Sequence, residues 1–318
     1  MKNLFSKSVV RIAVLSLGLV SAGVGAASVV LADATTGIVV TSPAASEASS
    51  WRGIAYGNGT YVAVATGGTN QVMTSTDGTT WTSRTQAEAN QWTSVAYGNG
   101  VFVAVAPTGT NRVMTSPNGI TWTARSVFAA DWKSVTYGGG KFVALAYGGD
   151  AVITSTDGVT WSAPSSVGIF NDWFGIAYGN GVFVAVAETG TNRVMTSPDG
   201  VTWTGVTAPA AFAAVTDIVW GNGKFVALGG ANGIMYSLDG ITWVANALTL
   251  PLTATERKLA YGQGTFVISS DDTDEVQYSH DGLYWQSYTL TGTATTGGFT
   301  FGGPSTASTV TTPAATTG

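Results

Sequence analysis

Five aspartates and one asparagine occupy a single recurring position in this chain: Asp77, Asn118, Asp157, Asp199, Asp239 and Asp281. Each stands third in a phrase that opens on Ser and closes on Trp, from Ser75-Thr76-Asp77-Gly78-Thr79-Thr80-Trp81 to Ser279-His280-Asp281-Gly282-Leu283-Tyr284-Trp285. A carboxylate can act as acid, base or nucleophile, or hold a hard cation. Here each acid is followed at once by Gly, and that pair favours a tight turn because Gly takes a left-handed backbone without penalty. The Ser hydroxyl and the carboxylate can both accept from turn amides that a strand ladder leaves over. Trp81, Trp122, Trp161, Trp203, Trp243 and Trp285 then open the next strand. The six positions therefore read as structural.

Other chemistry has thin support. His280 is the chain's one histidine and fills a variable slot in the last phrase, so neither a zinc site nor a Ser–His pair is indicated. The chain has no Cys, which rules out thiolate metal sites and disulfides. A glycosidase needs two facing carboxylates, and sequence cannot pair the acids that lie outside the turns. The acidic run Asp271–Glu275 reads as a solvated loop; a hard-cation site there would lack a recognised calcium-loop spacing. Neither a metal nor a cofactor is expected.

The elements that must carry these turns come from a repeat. The phrase Trp51-Arg52-Gly53-Ile54-Ala55-Tyr56-Gly57-Asn58-Gly59 returns at Trp92, Trp132 and Trp173, and more weakly at Val215 and Glu256. Its aromatic falls at Tyr56, Tyr97, Tyr137, Tyr178, Trp220 and Tyr261, at steps of 40 to 42 positions. Each unit predicts four strands. The first ends at the aromatic and turns through Gly-Asn-Gly. The second, such as Tyr61–Ala65, is apolar throughout, as in a sheet covered on both faces. The third precedes the Ser-x-Asp-Gly turn and the fourth follows it. Four short antiparallel strands at a period near 40 describe an all-β propeller. Gly297–Gly303 looks like a seventh first strand and Ile38–Pro43 like a third strand. Seven blades, with a closing blade shared by the termini, are therefore expected, six being the alternative. The divisions are 1–32, 33–50 with one strand joining the closing blade, 51–303 as the propeller, and 304–318 as closing strand or Ser/Thr/Ala/Pro tail.

The Ser-x-Asp-Gly-x-Thr-Trp phrase resembles the Asp box, or BNR repeat, of sialidase-like, photosystem-assembly and sortilin-type propellers, with a turn one residue shorter. The resemblance covers residues 51–290. It implies a blade and places the boxes on the face opposite any active site. It says little of activity, because unrelated functions share the box. The three-arginine set of a sialidase is not matched: Arg112 and Arg193 sit in two identical loops, Thr108–Arg112 and Thr189–Arg193.

Binding is expected on the loops opposite the boxes. Trp51, Trp92, Trp132 and Trp173, with Arg112 and Arg193, are the candidate ligand-binding residues; four rings on one face would stack on sugars, unless they pack between blades. The net charge of −5 argues against nucleic acid and against an anionic membrane surface. Lys2, Lys7 and Arg11 precede an apolar run from Ile12 and small residues, with cleavage sites after Ala26 or Ala32, which is the form of an export signal. An uncleaved anchor is the alternative. The resulting reading is an exported, monomeric, non-catalytic propeller that binds a protein or glycan. A sialidase-like or other glycoside hydrolase, and an extracytoplasmic assembly factor, are the alternatives.

Overall fold

The computed structural model describes residues 49–78, 80–210, 212, 214–229, 233–247, 257–262, 264–270 and 275–289, and the backbone at 11–16, 27–32 and 39–41. Every regular element among them is a strand. They form a β-propeller. Among the described residues six sheets have four antiparallel strands, each ordered from the channel outwards as in the chain. The first blade runs Trp51–Gly57, Thr60–Ala65, Val72–Ser75 and Thr82–Arg84. The inner strands of the next five are Ser94–Gly98, Trp132–Gly138, Trp173–Gly179, Val215–Gly221 and Arg257–Gly262.

Six is thus the alternative of the two blade counts. Between the sixth blade and the first lies a three-stranded sheet of Arg11–Ser16, Ala27–Ala32 and Val39–Thr41, in that order. Arg11–Ser16 lies against the inner strands Trp51–Gly57 and Arg257–Gly262. Val39–Thr41 takes the third place expected of it but pairs with Ala27–Ala32. The expected partner from the other terminus, Gly297–Gly303, and the tail at 304–318 lie outside the described residues, as do Asp271–Asp274.

The hairpin between the first two strands shows why the sequence folds this way. Tyr56 pairs with Tyr61 and Gly57 with Thr60, leaving Asn58-Gly59 as a two-residue loop. Asn58 has φ 48° and Gly59 φ 74°, the paired left-handed residues of a turn whose twist suits the flanking strands. Past their first one or two residues the second strands of the first five blades are buried; Val62, Ala63, Val64 and Ala65 expose nothing. Their uniform apolarity follows from having a neighbouring blade on each face.

Adjacent blades lock through glycine. The glycine ending each of the first five inner strands lies under the aromatic ring of the next blade. A Cβ on Gly57, Gly98 or Gly138 would sit 2.0 Å from the ring of Tyr97, Tyr137 or Tyr178; on Gly179 it would meet Trp220 at 2.0 Å, and on Gly221 Tyr261 at 2.2 Å. Any side chain there must drive the rings apart. Each ring also tilts against the aromatic that opens its own second strand, as Tyr97 does on Phe102 at 4.6 Å between centroids. The result is a stack of glycine, ring and ring repeated from blade to blade.

Gly98→Ala should cost about 1–3 kcal/mol of stability through this overlap. Gly67→Ala, where a Cβ meets nothing within 4 Å, should change stability by less than about 0.5 kcal/mol. Urea unfolding of the two variants checks the contrast; equal losses would contradict it.

Candidate functional site at the channel mouth

The turn face is fixed by bonds between neighbouring blades. Asn99 Nδ2 donates to Thr156 O, Asn180 Nδ2 to Leu238 O and Asn222 Nδ2 to His280 O, so each first hairpin abuts the Ser-x-Asp-Gly turn of the next blade. The inner strands consequently end on the turn face and begin on the opposite one.

Within each turn the acid serves its own backbone. Asp157 Oδ1 accepts from the amides of Val159 and Thr160, both at 2.8 Å, and Ser155 Oγ accepts from Gly158 N at 2.8 Å. Asp199, Asp239 and Asp281 repeat this pattern, and Asp77 accepts from Thr80 N at 2.7 Å. Asn118 Oδ1 takes the amides of Ile120 and Thr121 at 2.9 and 3.0 Å, so the amide side chain fills the same role. The turn glycines have φ between 72° and 77°. They also leave room for the preceding blade: a Cβ on Gly119 would lie 2.5 Å from Val62 Cγ2. The tryptophans close the turn. Trp122, Trp161, Trp203 and Trp243 donate their indole N–H to the turn glycine's carbonyl at 2.9–3.3 Å, while Trp81 and Trp285 leave that N–H without an acceptor.

The amides of Thr160 and Val159 hold the Asp157 carboxylate down at about 2, and those of Thr202 and Val201 do the same for Asp199. Asp239 is lowered by the amides of Thr242 and Ile241. A carboxylate whose folded pKa lies below its ordinary value near 3.8 adds stability above that value and loses it as pH falls towards 2. These acids are therefore turn staples.

The candidate binding residues do not gather as a stacking surface. Trp51, Trp92, Trp132 and Trp173 have 1, 0, 0 and 1% of their surface exposed, which corrects the expectation of a sugar platform. Trp92, Trp132 and Trp173 donate to the carbonyls of Glu88, Phe128 and Ile169, four positions earlier, and so clamp the interblade loops from beneath. In the fifth blade Val215 replaces the Trp, and Phe212 fills the space from the loop. A Cβ on Gly229 would stand 2.1 Å from its ring. Sequence reading missed this substitution because Phe212 lies off the repeat position; the coincident loss of the Trp and gain of Gly229 and Gly233 was the available signal.

Arg112 and Arg193 are braces as well. Arg112 Nη1 donates to Ala130 O at 2.7 Å and sits 3.5 Å from Asp131 Oδ1; Arg193 Nη1 reaches Phe212 O at 3.4 Å. Each ties its loop to the loop leading into the next blade. His280 Nδ1 is 3.0 Å from Thr265 Oγ1 at an exposed turn.

What converges instead is a set that the sequence did not single out. Lys133 and Phe174 are the second residues of their inner strands, where those strands bulge. Lys133 Nζ lies 4.2 Å from the Phe174 ring centre and 5.5 Å from that of Tyr147. Lys258 Nζ, from the sixth blade, lies 5.4 Å from the same Phe174 ring. The fourth and sixth blades are not neighbours, so this approach crosses the central channel. Tyr147 stands edge-on to Phe174, at 80° and 6.3 Å. Its phenol is pushed up by burial, then by Asp172 and Glu188. Two ammonium groups thus meet over aromatic faces at the mouth opposite the turns, an arrangement that ring quadrupoles favour.

Asp217 balances one of them. Burial pushes its carboxyl up, opposed by Lys258 and by the amides of Leu259 and Ile218. Its Oδ2 accepts from Leu259 N at 2.9 Å, just as Ser94 Oγ accepts from Val135 N at 3.2 Å between the second and third blades. Both residues stand three positions before the aromatic of their inner strands, so Asp217 joins the fifth and sixth blades in addition to facing Lys258. Among the described residues no group of three His, Cys, Asp or Glu could hold a metal ion, and no helix is long and apolar enough to cross a membrane.

Converting Asp157 and Asp199 to Asn keeps the acceptor that Asn118 already uses and removes the titration. Urea unfolding followed from pH 7 to pH 2 at low salt should lose stability more gently below pH 4 in this double variant than in the wild type. An unchanged acid slope would contradict the staple role.

The chain resembles known propellers. A family model described as DUF6242 beta propeller domain matches residues 84–212. Virginiamycin B lyase from Staphylococcus aureus is 11% identical, with a TM-score of 0.66 over 76% of this chain and 84% of that one. YCF48 from Cyanidioschyzon merolae is 13% identical, with a TM-score of 0.57 over 76% and 86%. A YCF48 bound to D1 peptide is 16% identical, with a TM-score of 0.56 over 76% and 81%. No curated protein matches the chain. At these identities the likeness is one of fold, and the chain is a β-propeller with DUF6242-like sequence in its middle blades.

Proposed function

We propose that this propeller is an exported, non-catalytic binding module whose ligand is a protein segment bearing carboxylates, seated at the channel mouth. The observation that carries the reading is the meeting of Lys133 and Lys258 over Phe174 and Tyr147. Cations beside aromatic faces suit a carboxylate with an apolar neighbour, as in an acidic or C-terminal peptide. The turn face is a weaker candidate. It exposes Ile120, Val159, Val201 and Ile241, but its acids are already used by their own amides. Burial of the four strand-opening tryptophans moves the reading from sugars towards peptides. The peptide-bound YCF48 supports a peptide as ligand on this fold.

Residues 1–32 act in this reading as the export leader, and the turns are Asp boxes in a shortened form. The module works outside the cytoplasm as a monomer and scaffolds or assembles its partner.

The test is an array of acidic and neutral peptides, each with a free and an amidated C-terminus, run beside a glycan array. Wild-type protein should retain carboxylate-bearing peptides, more weakly at high salt. Lys133→Met with Lys258→Met should weaken that retention at least about tenfold, or ~1.4 kcal/mol. Glycan capture alone, or peptide capture indifferent to both lysines, would overturn the reading.

A further inference from the structure

We infer, resting on the export reading above, that Asn58 is an acceptor for an N-linked glycan, supplied as an oligosaccharide on a polyprenyl pyrophosphate. The repeat itself provides the comparison that singles this residue out. Each of the first five inner strands turns into its second strand through a two-residue loop, closed by Gly57 and Thr60, Gly98 and Val101, Gly138 and Lys141, Gly179 and Val182, and Gly221 and Lys224.

Four of these five hairpins reach the next blade's turn with a side chain. Asn99, Asn180 and Asn222 give Nδ2 to the carbonyls of Thr156, Leu238 and His280. The third hairpin has Gly139 in place of the asparagine and uses Lys141, whose Nζ donates to Asp199 O at 3.0 Å. In the fifth, Lys224 Nζ adds a second tie, to Asp281 O at 2.6 Å. Among the described residues the first hairpin makes no such tie. Its backbone is not the cause, since Asn58 has φ 48° where Asn99, Asn180 and Asn222 have 47°, 48° and 45°. Asn58 is exposed and its amide is spare.

The residue that leaves the hairpin differs as well. It is Thr60 here, where the next four blades have Val101, Lys141, Val182 and Lys224. Asn58-Gly59-Thr60 is the only Asn-x-Thr or Asn-x-Ser in the chain. That spacing is the acceptor signature of N-glycosylation, in which the transferase recognises the hydroxyl two positions beyond the amide it modifies. The single hydroxyl at the required offset thus falls on the hairpin whose asparagine is spare. A Cβ on Gly59 would meet nothing within 4 Å, so the space beyond the turn is open. In the transfer, Asn58 Nδ2 bonds to C1 of the first sugar as the C1–O bond breaks. Polyprenyl pyrophosphate leaves with the electron pair, and the amide proton passes to the transferase's base. The glycan would stand on the turn face, remote from Lys133 and Lys258 at the channel mouth, and would displace no bond between blades.

The test is translation of the full chain with endoplasmic-reticulum microsomes, which hold both a translocation channel and the transferase. Wild-type chain protected from added protease should carry one glycan, read as a mass increment that an endoglycosidase removes. Asn58→Gln and Thr60→Val should lose the increment, and Thr60→Ser should keep it. The transferase meets the chain as it enters, so the readout does not depend on the variants folding. A protected chain without the increment, or an increment that survives Asn58→Gln, overturns the inference and leaves the export reading standing. A chain that stays open to protease overturns the export reading and the inference with it, so the two failures are distinguishable.

Discussion

The fold depends on a bare backbone surface meeting a flat ring. At the end of the first five inner strands the chain gives up a side chain so that the next blade's Tyr or Trp can lie on it, with ring carbons about where a Cβ would be. Contact at that range is dense, apolar and intolerant of even one methyl group. It fixes both the distance between inner strands and their angle. Because it is made from the same two residue types at each interface, blades can follow one another without individually designed surfaces. The outer parts of the blades are held differently. Turn glycines seat against the second strand of the preceding blade, and the strand-opening tryptophans reach back under the interblade loops.

Much of this was legible in the sequence. The steps of 40 to 42 between aromatics, the four strands per unit, the Asn-Gly hairpins and the service of the acids to their own turn amides all follow from local chemistry repeated six times. Asn118 is instructive, since an amide at a catalytic acid's position would abolish activity, whereas at a staple it preserves the acceptor. Glycine's second role was not legible. Left-handed backbone is a local property, visible in Asp-Gly and Asn-Gly, but the ring beneath Gly57 belongs to a residue forty positions away.

The candidate site was read less well, for a physical reason. Tryptophan at a strand start is equally suited to a sugar platform and to an interblade wedge, and only burial separates the two. Arg112 and Arg193 likewise have the chemistry of ligand residues but spend it on carbonyls of the next loop. Lys133, Phe174 and Lys258 carry no motif, because they occupy positions at which the repeat varies: four before the aromatic stand Arg52, Thr93, Lys133, Phe174 and Thr216 in successive blades, and three before it Gly53, Ser94, Ser134, Gly175, Asp217 and Lys258. Variation there is what a shared scaffold permits once the stack beneath it is fixed. The two lysines approach the same Phe174 ring only because the ring of blades brings the third, fourth and sixth blades around one channel.

The most direct measurement of the glycine–ring stack is a double-mutant cycle at Gly138 and Tyr178, read by urea unfolding. If the ring lies on the backbone as described, Gly138→Ala is costly while Tyr178 is present and nearly free once Tyr178→Ala has removed the ring. The cycle should then show a favourable coupling of about 1 kcal/mol or more. Two losses that simply add would mean that the glycine is not there to make room for the ring, and the account of how the blades are joined would be wrong.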